Sequence, residues 1–342
     1  MKAWVLYKAG DIRFEEMDMP QPSADEVVVS VKAAGICGSD ISRTFRDGAH
    51  NMPLIIGHEF SGQVVGTGKR VGVFPLIPCR NCDPCRNRQY ELCRNYNYLG
   101  SRSNGGFAEY VAVPKWNLIE LPDNVSYEEA AMLEPMAVAV HAMRRIELSD
   151  SDTIAVYGLG TIGLLLLMFL LDNKNVNPEN VFVIGNKDFQ KEIVINMGMQ
   201  ERCYCDSKKH NVDQWIMECT NGKGVRVFFE CVGKNDTVAQ VVDNTAFAGK
   251  IVLTGNPYSD MGLEKNTYWK ILRNQLTLMG TWNSSFTRDL NDDWHFVLDK
   301  LSQKCISPHN IITHRLPLDK LDQGLRIMRD KTEDYVKIMG LV

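Results

Sequence analysis

The chain has 342 residues, of which 44% are apolar and 23% charged, and its formal net charge at pH 7 is −4. This length and composition suit a globular protein with two domains, each with its own core. A net-acidic chain is a poor match for nucleic acid or an anionic membrane surface, so neither is expected as a partner. The longest apolar run, at 162–171, has only half the roughly 20 residues that a membrane-spanning helix needs.

The N-terminal region predicts a small β domain over residues 1–148. Its first residues lack the charged start, apolar core and cleavage site of a secretory signal, so a cytoplasmic location is expected. Short runs of β-forming residues are separated by Gly, Pro and Asp turns. These predicted strands span 3–7, 12–16, 26–32, 63–66 and 108–113.

Within this domain Cys37 and His58 are candidate ligands of a catalytic metal. A catalytic zinc takes a mixture of thiolate, imidazole and carboxylate and keeps an exchangeable position. Glu134 is the best third ligand, because a lone acid in an otherwise apolar stretch is costly without a counter-ion. Taken alone, Cys37 is also compatible with a buried core thiol and His58 with a structural histidine.

Four closely spaced cysteines, Cys79, Cys82, Cys85 and Cys93, predict a second, structural zinc site in a lobe at residues 79–93. Two-residue spacers bring thiolates close enough to share one tetrahedral ion. An iron–sulfur cluster is the alternative, but its cysteine runs often place proline after the last cysteine, and here Arg94 follows Cys93. A site closed by four thiolates leaves no open coordination position, so this lobe is expected to support the fold.

After residue 148 strands alternate with helices, which indicates a parallel sheet covered by helices on both faces. We therefore predict an α/β fold with a doubly wound domain over 149–284 and a return to the first domain over 285–342. The predicted strands are 153–157, 181–185, 225–230, 250–254 and 276–279, with helices at 162–173, 189–197, 237–245 and 268–273. Helices at 293–301 and 318–329 precede an apolar stretch at 336–342.

The first strand of this domain runs into Gly158, Gly160 and Gly163, the Gly-x-Gly-x-x-Gly pattern of a dinucleotide-binding turn. The first glycine makes the turn, the second admits the pyrophosphate, and the third packs helix against strand. The following helix, with Thr161 and Ile162 in its first turn, would direct backbone N–H groups at the phosphates.

The next strand ends in Gly185, Asn186 and Lys187, where an acid would bind the adenosine ribose hydroxyls of NAD(H). Gly185 leaves room and Lys187 can attract a 2′-phosphate, so NADP(H) is expected over NAD(H). The alternative is that Asp188 takes the acid's role and Lys187 is only solvated.

These motifs in this order resemble the zinc-containing medium-chain dehydrogenase/reductase family over nearly the whole chain. The resemblance rests on residues 35–40, 57–59, 79–93, 105–110 and 134–135. It implies a GroES-like β domain, an inserted Rossmann domain and a homodimer or homotetramer. It also implies hydride transfer between an alcohol and nicotinamide, with Ser39 passing on the hydroxyl proton. Glu59 is then either an exchanging zinc ligand or an outer-shell group, and Asp40 orients His58.

Within the family the segments 47–50, 75–79, 98–110 and 271–283 are similar to those of polyol-phosphate dehydrogenases of the galactitol-1-phosphate type. This implies a polyol phosphate substrate, with His50 and Arg102 favoured as its phosphate ligands over Arg43 and Arg46. The missing ribose acid and a short turn after Val65 depart from that pattern. NADPH-dependent reduction of ribulose 5-phosphate and oxidation of an unphosphorylated polyol are therefore the alternatives. A non-catalytic zinc module and a zinc-free reductase on the same scaffold fit the motifs less well.

Overall fold

The computed structural model describes all 342 residues, which form two compact units. The first comprises Met1–Ala137 and Ser284–Val342, and the second comprises Val138–Asn283. The N-terminal region and the return segment thus belong to one unit. The second unit begins inside a helix, Leu133–Met143, whereas the boundary predicted from the sequence, 148/149, lies after that helix. As domain limits, 1–148, 149–284 and 285–342 stay predictions.

The N-terminal part of the first unit consists mainly of short strands. In chain order they are β1 (Lys2–Lys8), β2 (Asp11–Glu16), β3 (Glu26–Gly35), β4 (Leu54–Ile55), β5 (Glu59–Val64), β6 (Arg70–Val73), β7 (Leu76–Ile77), β8 (Asn97–Tyr98), β9 (Tyr110–Pro114) and β10 (Leu118–Glu120). The helices are α1 (Gly38–Ser42), continued by a π-helical turn at Arg43–Asp47, then α2 (Asp83–Arg86), α3 (Tyr127–Ala131) and α4 (Leu133–Met143).

The second unit alternates strands with helices. Its elements are β11 (Ile154–Tyr157), α5 (Thr161–Asp172), β12 (Val181–Gly185), α6 (Asp188–Asn196), β13 (Tyr204–Asp206), α7 (Val212–Cys219), β14 (Val225–Glu230), α8 (Asn235–Asn244), β15 (Thr245–Leu253), α9 (Lys265–Arg273) and β16 (Thr277–Gly280). All neighbouring strands are parallel, in the order β13-β12-β11-β14-β15-β16. The predicted α/β class with a doubly wound parallel sheet is confirmed, and the strand order reverses at β11, where such sheets bind ligands.

The return segment completes the sheet of the first unit. It contains α10 (Asp293–Ser302), β17 (Ile312–Pro317), α11 (Leu321–Asp330) and β18 (Lys337–Leu341). The large sheet has the order β10-β6-β5-β3-β18-β17, with β9 also paired to β3, beside smaller sheets β2-β1-β4 and β7-β8. Because β18 pairs antiparallel with β3, Met339 lies opposite Gly35. The end of the chain therefore lies next to the segment that leads into Cys37.

The core of the first unit mixes residues from both ends of the chain. Ile36 and Phe60 are fully buried together with Leu321 and Ile338. Burying each such side chain stabilises the fold by about 1.5–3 kcal/mol. None of the helices combines the length and the hydropathy needed to cross a bilayer.

Candidate metal centre and dinucleotide cradle

The segment after β3 fixes the backbone of Cys37. Cys37 is the N-cap of α1 and has an extended conformation, with φ −88° and ψ 152°. Its N–H donates to Asp40 Oδ2 at 3.0 Å, so the carboxylate holds the turn from within the helix. Asp40 is fully buried and also pairs with Arg43 at 2.7 Å.

Gly57, a glycine with a positive φ, lies directly before His58, and β5 begins at the next residue. Gly57 has φ +92°, and a Cβ there would lie 2.2 Å from Cδ1 of Phe107, so only glycine fits. His58 is 4% exposed, and its Nδ1 lies 3.5 Å from Asp40 Oδ1, beyond hydrogen-bond contact. Burial lowers the pKa of His58, but Asp40 and Cys37 outweigh it and hold that pKa well above its usual value.

Cys37, His58 and Glu59 bring their ligand atoms within 4.8 Å of one another. Thiolate, imidazole and carboxylate are a donor set that zinc accepts. The residues present therefore fit a zinc ion.

Glu134, the predicted third ligand, lies outside this close trio. It sits in the first turn of α4 and accepts a hydrogen bond from the Tyr98 hydroxyl at 3.2 Å. Burial raises the pKa of Glu134 to about 7, while the neighbouring His58 lowers it. Burial favours the neutral form of a carboxyl group, whereas a bound cation favours the carboxylate. Glu134 therefore stays a candidate ligand of the predicted zinc.

Glu59 is held by a buried lysine. Lys337 Nζ donates to Glu59 Oε1 at 2.8 Å and to Oε2 at 2.6 Å, and also to the carbonyl of Ile36 at 3.0 Å. Both side chains are almost completely buried, with relative exposures of 2% and 1%. A Cβ on Gly35 would lie 2.3 Å from Glu59 Oε2, so a glycine in β3 makes room for the carboxylate. The pair therefore holds the Glu59 carboxylate in place beside Cys37 and His58.

The four lobe cysteines form the second cluster, with all sulfur atoms within 4.8 Å of one another. Cys79 and Cys85 sulfurs are 4.0 Å apart and those of Cys82 and Cys93 are 3.9 Å apart. Thiolates around a tetrahedral zinc at about 2.3 Å lie roughly 3.8 Å from each other, so the spacing fits zinc. Backbone N–H groups of Asn81 and Cys82 lower the pKa of Cys79 to about 6, which favours the thiolate that a metal needs.

An open cavity of about 390 Å³ lies beside α1. Its lining residues are Ser39, Ser42, Arg43, Asp47, Gly48, Ala49 and His50. Of the predicted substrate residues, the structure places Ser39 and His50 on this cavity and leaves Arg102 out of its lining. The Arg102 guanidinium lies 4.2 Å from the centre of the Tyr96 ring and donates to the Tyr96 carbonyl at 3.1 Å, which ties it to the loop it belongs to.

The glycine turn after β11 has the shape that a dinucleotide requires. Gly158 has φ +99°, and a Cβ on Gly163 would lie 1.9 Å from the Gly158 carbonyl. By contrast, a Cβ on Gly160 would meet nothing within 4 Å, because that residue faces open space. Thr161 and Ile162 open α5, whose N-terminus begins there. The cradle therefore fits a pyrophosphate group.

Strand β12 ends without an acidic residue. Gly185 is the last residue of β12, and Lys187 is the N-cap of α6, with its Nζ 5.1 Å from the centre of the Phe189 ring. Asp188, the alternative ribose ligand, forms a close ion pair with Lys209. Asn186 N–H donates to the Gln190 side chain at 3.2 Å.

Lys337 and Tyr98 lie at the metal centre but are not among the residues predicted from the sequence. Lys337 is a lone charge in the apolar stretch 336–342, which is the signal that identified Glu134, but the stretch was interpreted only as a returning strand. Tyr98 lies in a segment noted for resemblance alone, and nothing in its local pattern shows that its hydroxyl reaches Glu134.

Comparison with known proteins identifies the family. Residues 23–123 match the model of the alcohol dehydrogenase GroES-like domain, and residues 161–303 match that of the zinc-binding dehydrogenases. Galactitol 1-phosphate 5-dehydrogenase of Escherichia coli K12 is 30% identical over 336 residues, covering 95% of this chain and 96% of that protein. The chain belongs to the zinc-containing medium-chain dehydrogenase/reductase family. The dehydrogenase is thus an oxidoreductase of the alcohol dehydrogenase type, as the motifs predicted.

Solved structures agree with this assignment. The crystal structure of galactitol-1-phosphate dehydrogenase from Escherichia coli has a TM-score of 0.90 and 28% identity, with full coverage of both chains. A zinc-binding dehydrogenase of Sinorhizobium meliloti 1021 bound to NADP has a TM-score of 0.89 and 26% identity, covering 100% of this chain and 99% of that one. An alcohol dehydrogenase of Escherichia coli CFT073 complexed with NADH has a TM-score of 0.89, 28% identity and the same coverage. Similar folds therefore bind either dinucleotide.

Proposed function

We propose that this dehydrogenase transfers a hydride between the secondary alcohol of a small polyol phosphate and NADP(H). The cavity beside α1 carries the proposal, because both Ser39, whose hydroxyl can transfer a proton, and His50, whose imidazole can hydrogen-bond a phosphate, line it. The relative that acts on galactitol 1-phosphate supports the substrate class. In the oxidative direction a bound NADP⁺ would accept the hydride from the carbinol carbon, and the hydroxyl proton would pass to solvent, so that the alcohol becomes a ketone.

Cys37, His58 and Glu134 would hold the catalytic zinc, with Glu59 as an outer-shell group or an exchanging ligand. Zinc bound there lowers the pKa of a substrate hydroxyl towards neutrality. Ser39, two residues beyond Cys37 on the same cavity, accepts the hydroxyl proton and passes it on. Asp40 fixes the Cys37 backbone and orients His58. The four lobe cysteines would hold a structural zinc that takes no part in the reaction.

The charged residues at and near the cavity bear on whether the substrate is a polyol phosphate or an unphosphorylated polyol. Arg43 is paired with Asp40, and the exposed Arg46 is paired with Asp47, so neither guanidinium offers an uncompensated charge. His50 lines the cavity and takes part in neither of these ion pairs, so its imidazole is the candidate phosphate ligand there. Arg102 supports a phosphate site less well, since it is bonded within its own loop.

An unphosphorylated polyol is the second candidate substrate. Asp47 lines the cavity, and a carboxylate there suits hydroxyl groups better than a phosphate. Reduction of ribulose 5-phosphate is a variant of the first candidate with the opposite direction. A panel of pentitols and hexitols, their phosphates and the matching ketoses separates the three. A polyol phosphate kcat/KM at least tenfold above that of the free polyol is expected, and equal values would overturn the phosphate proposal.

The cofactor proposal depends on the end of β12. Gly185 carries no acid, and Asp188 is already engaged by Lys209, so the ribose hydroxyls of NAD(H) lack their usual carboxylate partner. Lys187 supplies positive charge at the same turn. Binding of NADPH and NADH, measured separately by titration of cofactor fluorescence, tests this. A lower Kd for NADPH is expected, and a lower Kd for NADH would refute it.

We also propose a homodimer or homotetramer in a reducing compartment, the cytoplasm. Strand β16 forms an edge of the parallel sheet, and the large side chains of Trp269, Leu272 and Trp282 near it are 44%, 55% and 55% exposed. An apolar edge strand is prone to pair with another copy. All ten cysteines are unpaired, as expected in reducing conditions. Light scattering of wild type and a Leu278→Asp variant tests the oligomer, which the variant should dissociate.

A further inference from the structure

Gln190 connects the two turns that make up the dinucleotide cradle. It lies in α6 and is 7% exposed. Its Nε2 donates to the carbonyl of Leu159, inside the glycine turn, at 2.9 Å. Its Oε1 accepts the N–H of Asn186, in the turn after β12, at 3.2 Å. One buried amide therefore satisfies a carbonyl in the pyrophosphate turn and an N–H in the ribose turn.

These two hydrogen bonds also fix the place of the amide itself. A buried side-chain amide that uses both its donor and its acceptor has no alternative partner to move to, and leaving either backbone group unpaired is unfavourable. Tyr204 holds the far side of the same turn, because its hydroxyl donates to the carbonyl of Lys187 at 3.2 Å. The turn over 185–187 is thus braced by two side chains.

The braced side chains leave no space for a side chain at position 185. A Cβ on Gly185 would lie 2.9 Å from Leu159 Cδ1, 3.0 Å from Gln190 Oε1 and 3.1 Å from the Tyr204 hydroxyl. The Leu159 methyl can rotate away, whereas the Gln190 and Tyr204 atoms are held by hydrogen bonds to the backbone of the two turns.

We propose that Gln190 is a positioning residue for the dinucleotide and that, together with Leu159 and Tyr204, it keeps position 185 closed to a larger side chain such as the ribose-binding acid. The inference rests on the proposed NADP(H) function, because a turn that admits no ribose-binding acid favours the cofactor with the 2′-phosphate. Gln190 acts on the cofactor through the backbone of Leu159 and Asn186 and does not need to touch it.

The positioning role is tested by binding of NADPH to Gln190→Met and Gln190→Ala. Methionine keeps the volume of the side chain but makes neither hydrogen bond, so it separates bonding from packing. Both variants should raise the Kd for NADPH by about tenfold, the effect of losing buried hydrogen bonds. Gln214→Ala is the matched control, since Gln214 is exposed and bonds only Glu218 in its own helix, and it should leave the Kd unchanged. Wild-type affinity in Gln190→Met would overturn the positioning role.

The specificity role is tested by coupling Gly185→Asp with Gln190→Ala and measuring the Kd for NADH and for NADPH. Gly185→Asp alone should not improve NADH binding, because the new side chain meets Gln190. Because Gln190→Ala weakens the cradle for both dinucleotides, the comparison uses the ratio of the Kd for NADH to the Kd for NADPH. In the double variant the acid finds room, and this ratio should fall at least tenfold below that of Gly185→Asp. Equal ratios in these two variants would overturn the exclusion. The melting temperature of each variant shows that it is folded.

The two proposals can fail separately. Wild type that binds NADH more tightly than NADPH refutes the cofactor assignment, whatever Gln190 does. A wild type that prefers NADPH, combined with additive effects at positions 185 and 190, keeps the assignment and refutes the role of Gln190.

Discussion

Lys337 and Glu59 form a buried ion pair in which one ammonium group bonds both carboxylate oxygens, at 2.8 and 2.6 Å. Burial lowers the pKa of Lys337, but the Glu59 carboxylate outweighs it, so this pKa lies above the usual value. The lysine therefore remains charged. Its remaining proton goes to the carbonyl of Ile36, next to Cys37, so the pair also holds the segment that carries the thiol.

Replacing Lys337 with methionine should destabilise the protein strongly. The change leaves the Glu59 carboxylate buried without its partner, which typically costs about 3–5 kcal/mol in the free energy of unfolding. Urea unfolding followed by circular dichroism measures the loss. Lys69→Met is the matched control, because the Lys69–Glu120 pair is exposed and contributes only about 0–1 kcal/mol. The double variant Lys337→Met with Glu59→Gln should recover part of the stability, and a Lys337→Met variant as stable as wild type would contradict the assignment.

Metal content distinguishes the two clusters. Wild type should contain two zinc ions per chain, and Cys37→Ser should retain one, because the lobe cluster shares no residue with the Cys37 cluster. Loss of the catalytic ion removes several kcal/mol of transition-state stabilisation, so turnover should fall by about a thousandfold or more. Plasma emission spectrometry gives the zinc content. Two ions in Cys37→Ser, or normal turnover with one, would refute Cys37 as a ligand.

Tyr98→Phe should weaken the catalytic metal without changing the lobe. The hydroxyl bonds Glu134 at 3.2 Å, and removing an outer-shell partner of a ligand costs about 10–100-fold in metal affinity or activity. Competition with a chelator reports the affinity of the weaker ion. Tyr96→Phe is the control, since the Tyr96 ring packs under Arg102 and should tolerate the change. An unchanged chelator midpoint in Tyr98→Phe would show that Glu134 does not depend on this bond.

The contribution of Glu129 to the free energy of unfolding depends on pH. Burial raises the pKa of Glu129, but bonds from Ser126 and the charges of Lys304 and His309 outweigh it and leave the pKa below 4.5. A folded-state pKa below the unfolded value stabilises the fold above about pH 4.5 and loses that contribution as the pH falls through the folded value. Glu129→Gln should therefore cost about 1–2 kcal/mol at pH 7. The difference from wild type should shrink below about pH 4.5.

Urea unfolding of both proteins at pH 7, 5 and 4 measures this convergence. Glu120→Gln, at an exposed site, should give curves close to wild type at each pH. A Glu129→Gln deficit that is the same at all three values would mean that the lost interaction does not involve the charge.

Much of the fold followed from local patterns, since β12 is a continuous apolar run and β14 is a largely apolar one, with turn residues on both sides. Strand β13 was not predicted, because three residues are too short for a periodic signal. Strand β17 was not predicted either, because polar residues alternate along it and the stretch ends in proline. Strand β5 begins at Glu59, earlier than the predicted 63, because the His-Glu motif was interpreted as site residues alone.

The site was predictable as far as local sequence carries chemistry. The lobe cysteines lie within the fifteen residues 79–93, and Cys37 and His58 lie next to the paired ends of β3 and β5, where Gly35 is opposite Glu59. Glu59 beside them and Lys337 opposite depend on pairing between β3, β5 and β18, which no window of sequence contains. The sequence therefore names Glu59 and Glu134 as candidate ligands, but the distances among the ligand atoms and the ion pair of Glu59 with Lys337 come only from the tertiary structure.

The position of β18 has a consequence for the order of folding. Strand β3 needs β18 beside it, and the Glu59 carboxylate needs Lys337, yet these residues are separated by 278 positions along the chain. During synthesis the dinucleotide-binding unit can form from local contacts, while the first unit exposes an unpaired strand edge and an uncompensated carboxylate until the last residues emerge. Premature termination within the final strand should thus leave a nascent protein with a complete cofactor cradle and an aggregation-prone metal domain.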